Sequence, residues 1–309
     1  MRASIATTTL GGSIEQKLDA AAAAGFDAIE IFGTDLDGAA STPKEIGARA
    51  ADLGLSLDLY QPVRDVEGTP AELFGATLDR VERTCDLMAD LGIDTMLVCS
   101  NTAEWALDDE SLAAAQLVEV ADRAALRGFR VVYEAMSWGR HVRDYQQADR
   151  IVARAAHPQL GLCLDSFHIF ARRNDLADIA TIPGERIFAV QLADAVPQGD
   201  RPLIEWSRHH RCLPPNGYFA LEDLLRLVAG TGYAGPLSLE IFSDELRAAD
   251  PFAVARDARR SLAGLAATFA AARPEVRREV RREVGADGRP DVRTAGLESP
   301  GEPATVVPG

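Results

Sequence analysis

The chain has 309 residues, 47% of them hydrophobic, and a formal charge of -15 at pH 7. That length accommodates one large core, such as an α/β barrel of about 250 residues. The acidity argues against nucleic acids and anionic membranes as partners, because both require basic surface; an anionic small molecule held by a local cluster of arginines is not excluded.

Short β-like runs alternate with longer Ala- and Leu-rich amphipathic stretches, the pattern of repeated βα units around a parallel sheet. Strands are expected at about 2–7, 27–32, 55–60, 93–99, 129–134, 160–165, 186–191 and 236–241. Between them, Ser13 and Gln16 resemble a capping box ahead of a helix over 17–24 that Gly25 stops. Further helices fall at 71–91, 111–127 and 221–230. Eight strands with an echoing helix-glycine-strand phrase, as in Leu91-Gly92-Ile93-Asp94 and Arg127-Gly128-Phe129-Arg130, predict a (β/α)8 TIM barrel over residues 1–272. The open doubly wound sheet is the rival, but Leu10-Gly11-Gly12-Ser13 lacks its GxGxxG turn. The sixth crossover (166–185) is short, and the stretch 193–218 is long and rich in Pro, Arg, His and Trp; both should lie on the catalytic face. From 273 to 309 the chain carries seven arginines and seven acids without an apolar face, so a charged, low-complexity tail is expected there.

Cys85, Cys99, Cys163 and Cys212 show no CxxC spacing, and the N-terminus has no apolar leader. No run reaches membrane-spanning length, so the expectation is a cytoplasmic protein with reduced thiols.

Four apolar runs end in one oxygen-bearing side chain each: Glu134, Asp165, Gln191 and Glu240. In a closed barrel these share one level at the C-terminal rim. Three carboxylates so placed cannot all stay ionised without a cation, which predicts a divalent metal held by the four. All-oxygen donors favour Mg2+ or Mn2+ over Zn2+, with Co2+ accepted. Gln61 and Asn101 add polar groups at other strand ends, as does Glu30. His168 follows Asp165 by about one helical turn, within reach of a metal-bound substrate, and is the candidate acid/base. Trp138 and Trp206 should wall the pocket, while His157, which precedes a strand, should face the opposite rim.

Glu134 at strand five, Leu164-Asp165-Ser166-Phe167-His168 and Ser238-Leu239-Glu240-Ile241-Phe242 together resemble the xylose-isomerase-like sugar-phosphate isomerase/epimerase barrels. Gln61-Pro62-Val63-Arg64-Asp65, Trp138-Gly139-Arg140-His141, Gln191-Leu192-Ala193-Asp194 and Trp206-Ser207-Arg208-His209 narrow the resemblance to bacterial 3-dehydroshikimate dehydratases, over about residues 2–265. The resemblance implies metal-dependent dehydration of 3-dehydroshikimate to protocatechuate through a metal-stabilised enolate. It assigns Glu134, Asp165, Gln191 and Glu240 to the metal, with Glu134, Glu240 and His168 catalytic. Arg64, Ser207 and Arg211, with Gln61 and Asn101, are assigned to the carboxylated cyclic substrate, Arg64 and Arg211 clamping its carboxylate away from the metal. Many relatives in the wider superfamily carry histidine where Gln191 stands, and some related dehydratases carry one where Met136 stands. Some relatives fuse a dioxygenase-like domain, for which the tail is too short, so no second activity is expected; self-association into a homo-oligomer is compatible with the resemblance. Two other readings fit the same residues: a metal-dependent ketose epimerase or isomerase using Glu134 and Glu240 as bases, and a non-catalytic ligand-binding barrel.

Overall fold

A computed structural model describes residues 1–274. The tail expected over 273–309 therefore lies, from residue 275 onward, outside the described residues. Eight parallel strands close into a barrel: β1 (Ala3–Ala6), β2 (Ala28–Phe32), β3 (Ser56–Val63), β4 (Thr95–Cys99), β5 (Arg130–Glu134), β6 (Leu160–Asp165), β7 (Ile187–Leu192) and β10 (Leu237–Leu239). β1 pairs with both β2 and β10, which seals the ring. Most strands are buried on both faces, as continuous runs such as Thr95-Met96-Leu97-Val98-Cys99 require.

Around them lie α1 (Ile14–Ala23), α2 (Pro43–Asp52), α3 (Ala71–Leu91), α4 (Glu110–Ala125), α5 (Tyr145–Ala155), α8 (Leu221–Gly230) and α10 (Pro251–Ala272). The Ser13/Gln16 capping box forms as expected and starts α1 three residues earlier than the sequence pattern places it. Gly92, at φ 75°, ends α3 in the left-handed conformation that favours glycine. α10 is a helix the sequence reading passed over; Val254, Leu262 and Phe269 form its buried stripe. Among the described residues no helix is long and apolar enough to cross a membrane.

The core has two parts. The larger lies between strands and helices. The smaller fills the barrel with Leu59, Leu97, Cys99, Val132, Met136, Cys163 and Ala189, with Trp138 and Phe188 packed against it. Gly161 is where this interior is tightest: a Cβ there would come within 2.2 Å of the Phe188 ring.

Three short elements shape the rim: α6 (Ser166–Ala171), α7 (Leu203–His209) and a two-stranded antiparallel sheet of β8 (Asp194–Ala195) and β9 (Arg211–Cys212), with α9 (Asp244–Ala248) beyond β10. The small sheet carries the chain back after α7 so that Arg211 enters the barrel mouth. Buried Asp194 holds this excursion in place by accepting from the N–H groups of Ala195 (2.9 Å), Gly217 (2.9 Å) and Phe219 (3.0 Å). Gly217 has no room for a side chain, since a Cβ would lie 2.2 Å from an Asp194 carboxylate oxygen.

A candidate metal centre at the barrel mouth

Glu134 and Asp165 are the last residues of β5 and β6, Gln191 is the penultimate residue of β7, and Glu240 follows β10 directly. All four are buried, at 4%, 2%, 0% and 4% exposure, at one end of the barrel. Asp165 and Gln191 are register partners across β6 and β7. Asp165 is also the helix cap that a strand-end acid often is: its Oδ1 accepts from the Phe167 N–H at 2.6 Å and starts α6. Its Oδ2 is left facing the mouth. Ligand atoms of Glu134, Asp165 and His168 lie within 4.8 Å of one another, a grouping able to hold a metal ion.

Electrostatics set this cluster apart. Burial pushes the Glu134 carboxyl above its usual range and the charge of Asp165 pushes it further. Burial likewise raises Glu240 well above the ordinary carboxylate range, which Arg211 opposes and Asp165 and Glu134 reinforce. Glu134 Oε1 is buried with no hydrogen-bond partner, while Oε2 accepts from the Cys99 thiol at 3.2 Å. An orphaned carboxylate oxygen beside two other acids is a place where a hard cation fits.

Gln191 is tied on both sides: Oε1 accepts from the Cys163 thiol at 3.3 Å and Nε2 donates to Glu30 at 2.7 Å. Gln61 donates to the same Glu30 oxygen at 2.8 Å. Cys99 and Cys163 are thus free, buried thiols lying directly beneath two of the four strand-end side chains.

Arg211 departs from the sequence expectation. It lies inside the acidic cluster instead of apart from it, with Nη1 donating to Asp165 Oδ2 (2.9 Å) and Glu240 Oε2 (3.0 Å). Ser207 occupies the rest of the fork, its carbonyl accepting from Nε at 3.0 Å and its hydroxyl from Nη2 at 2.8 Å. The guanidinium is stacked between Phe167 and Phe242, 4.5 and 5.1 Å from their ring centres. Burial works against its charge, but Asp165, Glu240 and Glu134 outweigh burial and hold its pKa above the usual value. A buried arginine needs buried anions, and the strand-end acids are the anions within reach.

The cations facing the pocket without such partners are Arg64 and Arg208. Both line it with Phe32, Gln61, Met136 and Trp138. Arg64 Nη1 meets the Met136 sulfur at 3.6 Å, and among the described residues neither arginine pairs with a carboxylate. Burial lowers the Arg208 pKa and the nearby charge of Arg64 lowers it further. Arg208 is a pocket residue that the sequence pattern does not single out; its one signal is a basic residue beside Ser207 in Trp206-Ser207-Arg208-His209 of an acidic chain.

His168 sits against the cluster, its Nε2 3.5 Å from Asp165 Oδ2 and 4.0 Å from Glu134 Oε1. Burial drives its pKa down to about 4, against the opposing pull of Asp165, so the imidazole is neutral at pH 7. Ser137 lies at Nδ1 with two groups: its N–H (3.2 Å) donates to a bare nitrogen, and its hydroxyl (3.1 Å) accepts from a protonated one. The rotatable hydroxyl suits either tautomer, and Nε2 is the nitrogen facing the site.

Two expected neighbours, Asn101 and Trp206, lie elsewhere. Asn101 points into its own loop, bonding the Glu67 carbonyl (2.7 Å) and the Ala103 N–H (2.9 Å), so its polar atoms are spent on the loop. Trp138 lines the pocket edge-on to His168, but Trp206 packs behind it on Phe167 and Phe219. His157 pairs with Asp122 beside the N-terminal end of β6, the opposite rim. A larger cavity of about 690 Å3 opens at that end of the barrel, lined by Arg2, Ser4, Glu30, Asp58 and Ser238. The clustered acids, His168 and the two free arginines are at the other, C-terminal end, where α/β barrels carry out their chemistry.

Comparison with known proteins agrees with this architecture. Residues 18–265 match the xylose isomerase-like TIM barrel family, and the chain belongs to it. It is 50% identical over 262 residues to a 3-dehydroshikimate dehydratase of Pseudomonas aeruginosa, and 48% identical over 262 residues to one of Pseudomonas putida; each match takes in 85% of this chain and 41% of the relative. The chain thus spans less than half the length of these relatives. A solved xylose isomerase-like TIM barrel/4-hydroxyphenylpyruvate dioxygenase fusion protein superposes with a TM-score of 0.84 at 45% identity, over 92% of this chain and 44% of the other. An L-ribulose 3-epimerase structure, at 22% identity and a TM-score of 0.70 over 94% of this chain and 99% of its own, shares the fold.

Proposed function

We propose that the chain catalyses the divalent-metal-dependent dehydration of 3-dehydroshikimate to protocatechuate. The observation that carries this reading is the pairing of a buried carboxylate cluster with two uncompensated arginines across one small pocket, in a chain about half identical to proteins named for that reaction. Glu134, Asp165, Gln191 and Glu240 would hold the cation, Mg2+, Mn2+ or Co2+ by their donor chemistry. Bound there, it would polarise the substrate ketone and offset the negative charge that develops on its oxygen.

The chain's own residues supply the rest. Arg64 and Arg208 receive the ring carboxylate, a task for which Arg211, already committed to Asp165 and Glu240, is not free. His168 Nε2 takes the acidic proton from the ring carbon, and the electron pair left behind moves into the conjugated system. Asp165 and Glu134 stabilise the imidazolium so formed, and the Ser137 hydroxyl accepts a hydrogen bond from its Nδ1–H. The same proton leaves with the ring hydroxyl as water, and a final tautomeric shift completes the aromatic ring. Trp138 and Met136 wall the apolar side of the ring.

A ketose epimerase reading uses the same acids, but a neutral sugar gives Arg64 and Arg208 nothing to neutralise. Mixing the protein with Mn2+ and 3-dehydroshikimate should produce the ultraviolet absorbance of a new aromatic acid. Turnover that persists after exhaustive chelation, or no aromatic product with any of the three cations, would falsify the proposal.

A further inference from the structure

The residue that the mechanism leaves unused is Glu30. It is 3% exposed, stands on β2 immediately after a bulge in the β2–β3 pairing, and points into the barrel. Its Oε2 accepts two amide protons, from Gln191 Nε2 at 2.7 Å and from Gln61 Nε2 at 2.8 Å. The bond to Gln191 bridges strands that are not neighbours, since β1 and β10 lie between β2 and β7. Glu30 lines the basal cavity with Ser4, Leu59 and Ser238, whereas Gln61, Glu134 and Glu240 line the mouth. It is therefore beneath the cluster, not one of the groups around the substrate.

An amide is a ligand for a hard cation only through its oxygen. Its nitrogen and oxygen are nearly the same size, so packing does not choose between the two flips and hydrogen bonding must. For Gln191 the choice is made by partners of opposite character: a carboxylate, which accepts, at Nε2, and a thiol, which donates, at Oε1. We propose that Glu30 is a positioning residue that fixes the Gln191 amide with its oxygen available to the cation, Gln61 holding the Glu30 carboxylate in place. This deepens the metal-site reading above and rests on it.

The test is Mn2+ affinity of the 309-residue chain, read by equilibrium dialysis without substrate. Glu30→Gln should weaken binding by about 10- to 100-fold, as loss of an outer-shell partner does, with an unchanged melting temperature and with KM for 3-dehydroshikimate at saturating Mn2+ close to wild type. Gln191→Glu should also bind poorly, because two carboxylates then face each other. The double variant Glu30→Gln/Gln191→Glu restores a donor against an acceptor and should bind Mn2+ more tightly than Gln191→Glu alone, a rescue that a purely structural role would not give. Wild-type protein that takes up no Mn2+ overturns the metal-site reading and this inference together. Wild-type protein that binds while Glu30→Gln matches it within about twofold overturns the inference alone, as does a double variant no better than Gln191→Glu, a comparison that decides even where Glu30→Gln folds poorly.

Discussion

Three arginines near one pocket divide between two duties, and substitution should separate them. On the proposed reading, Arg64→Ala or Arg208→Ala removes a charge-assisted contact to the substrate carboxylate, so KM should rise by about 10- to 100-fold with kcat little changed. Arg211→Ala instead strands two buried acids, Asp165 and Glu240, and should lower both melting temperature and kcat. Steady-state kinetics beside thermal melts distinguish the two patterns. Glu67 offers a test of a different kind. Burial raises its pKa from 4.5 to about 7, against the Asn101 N–H bond that lowers it. Between those values the native state binds more protons than the unfolded chain, so this residue's contribution to stability declines as pH rises from 4.5 through about 7. Urea midpoints measured across that range should fall more steeply in the wild type than in Glu67→Gln.

At the scale of elements, the rim excursion between β7 and α8 depends on Asp194. Removing its carboxylate leaves three N–H groups without their acceptor. Asp194→Ala should therefore cost about 1–3 kcal/mol and depress kcat by displacing Arg211, visible as a lower urea midpoint alongside slower turnover. Inside the barrel, Gly161→Ala would press on the Phe188 ring and should destabilise by about 1–3 kcal/mol with KM unaffected, since Phe188 is at the end away from the mouth. The strands were legible in the sequence because buried parallel strands are continuous apolar runs, and each expected one is present within two or three residues. The lid was not. β8, β9 and α7 are too short for any periodicity to show, and their placement comes from Asp194 and Arg211, whose partners are distant in sequence.

For the whole molecule, closing the sheet converts strand-end acids scattered over more than a hundred residues into one buried cluster. The sequence pattern was sufficient to place Glu134, Asp165, Gln191 and Glu240 at strand ends on one rim, because all that placement requires is strand order and a common level. It could not reveal that Arg211 lies among them, that Arg208 faces the pocket, or that Glu30 accepts a hydrogen bond from Gln191, because each depends on side-chain direction at a rim or bulge. The central claim is that these four side chains share one divalent cation. Anomalous scattering from crystals grown with Mn2+ tests it most directly. The account predicts one strong peak at the C-terminal mouth, about 2.0–2.3 Å from an oxygen of each of the four residues; no peak there, or one bound by His168 with Gln191 and Glu240 turned away, would contradict it.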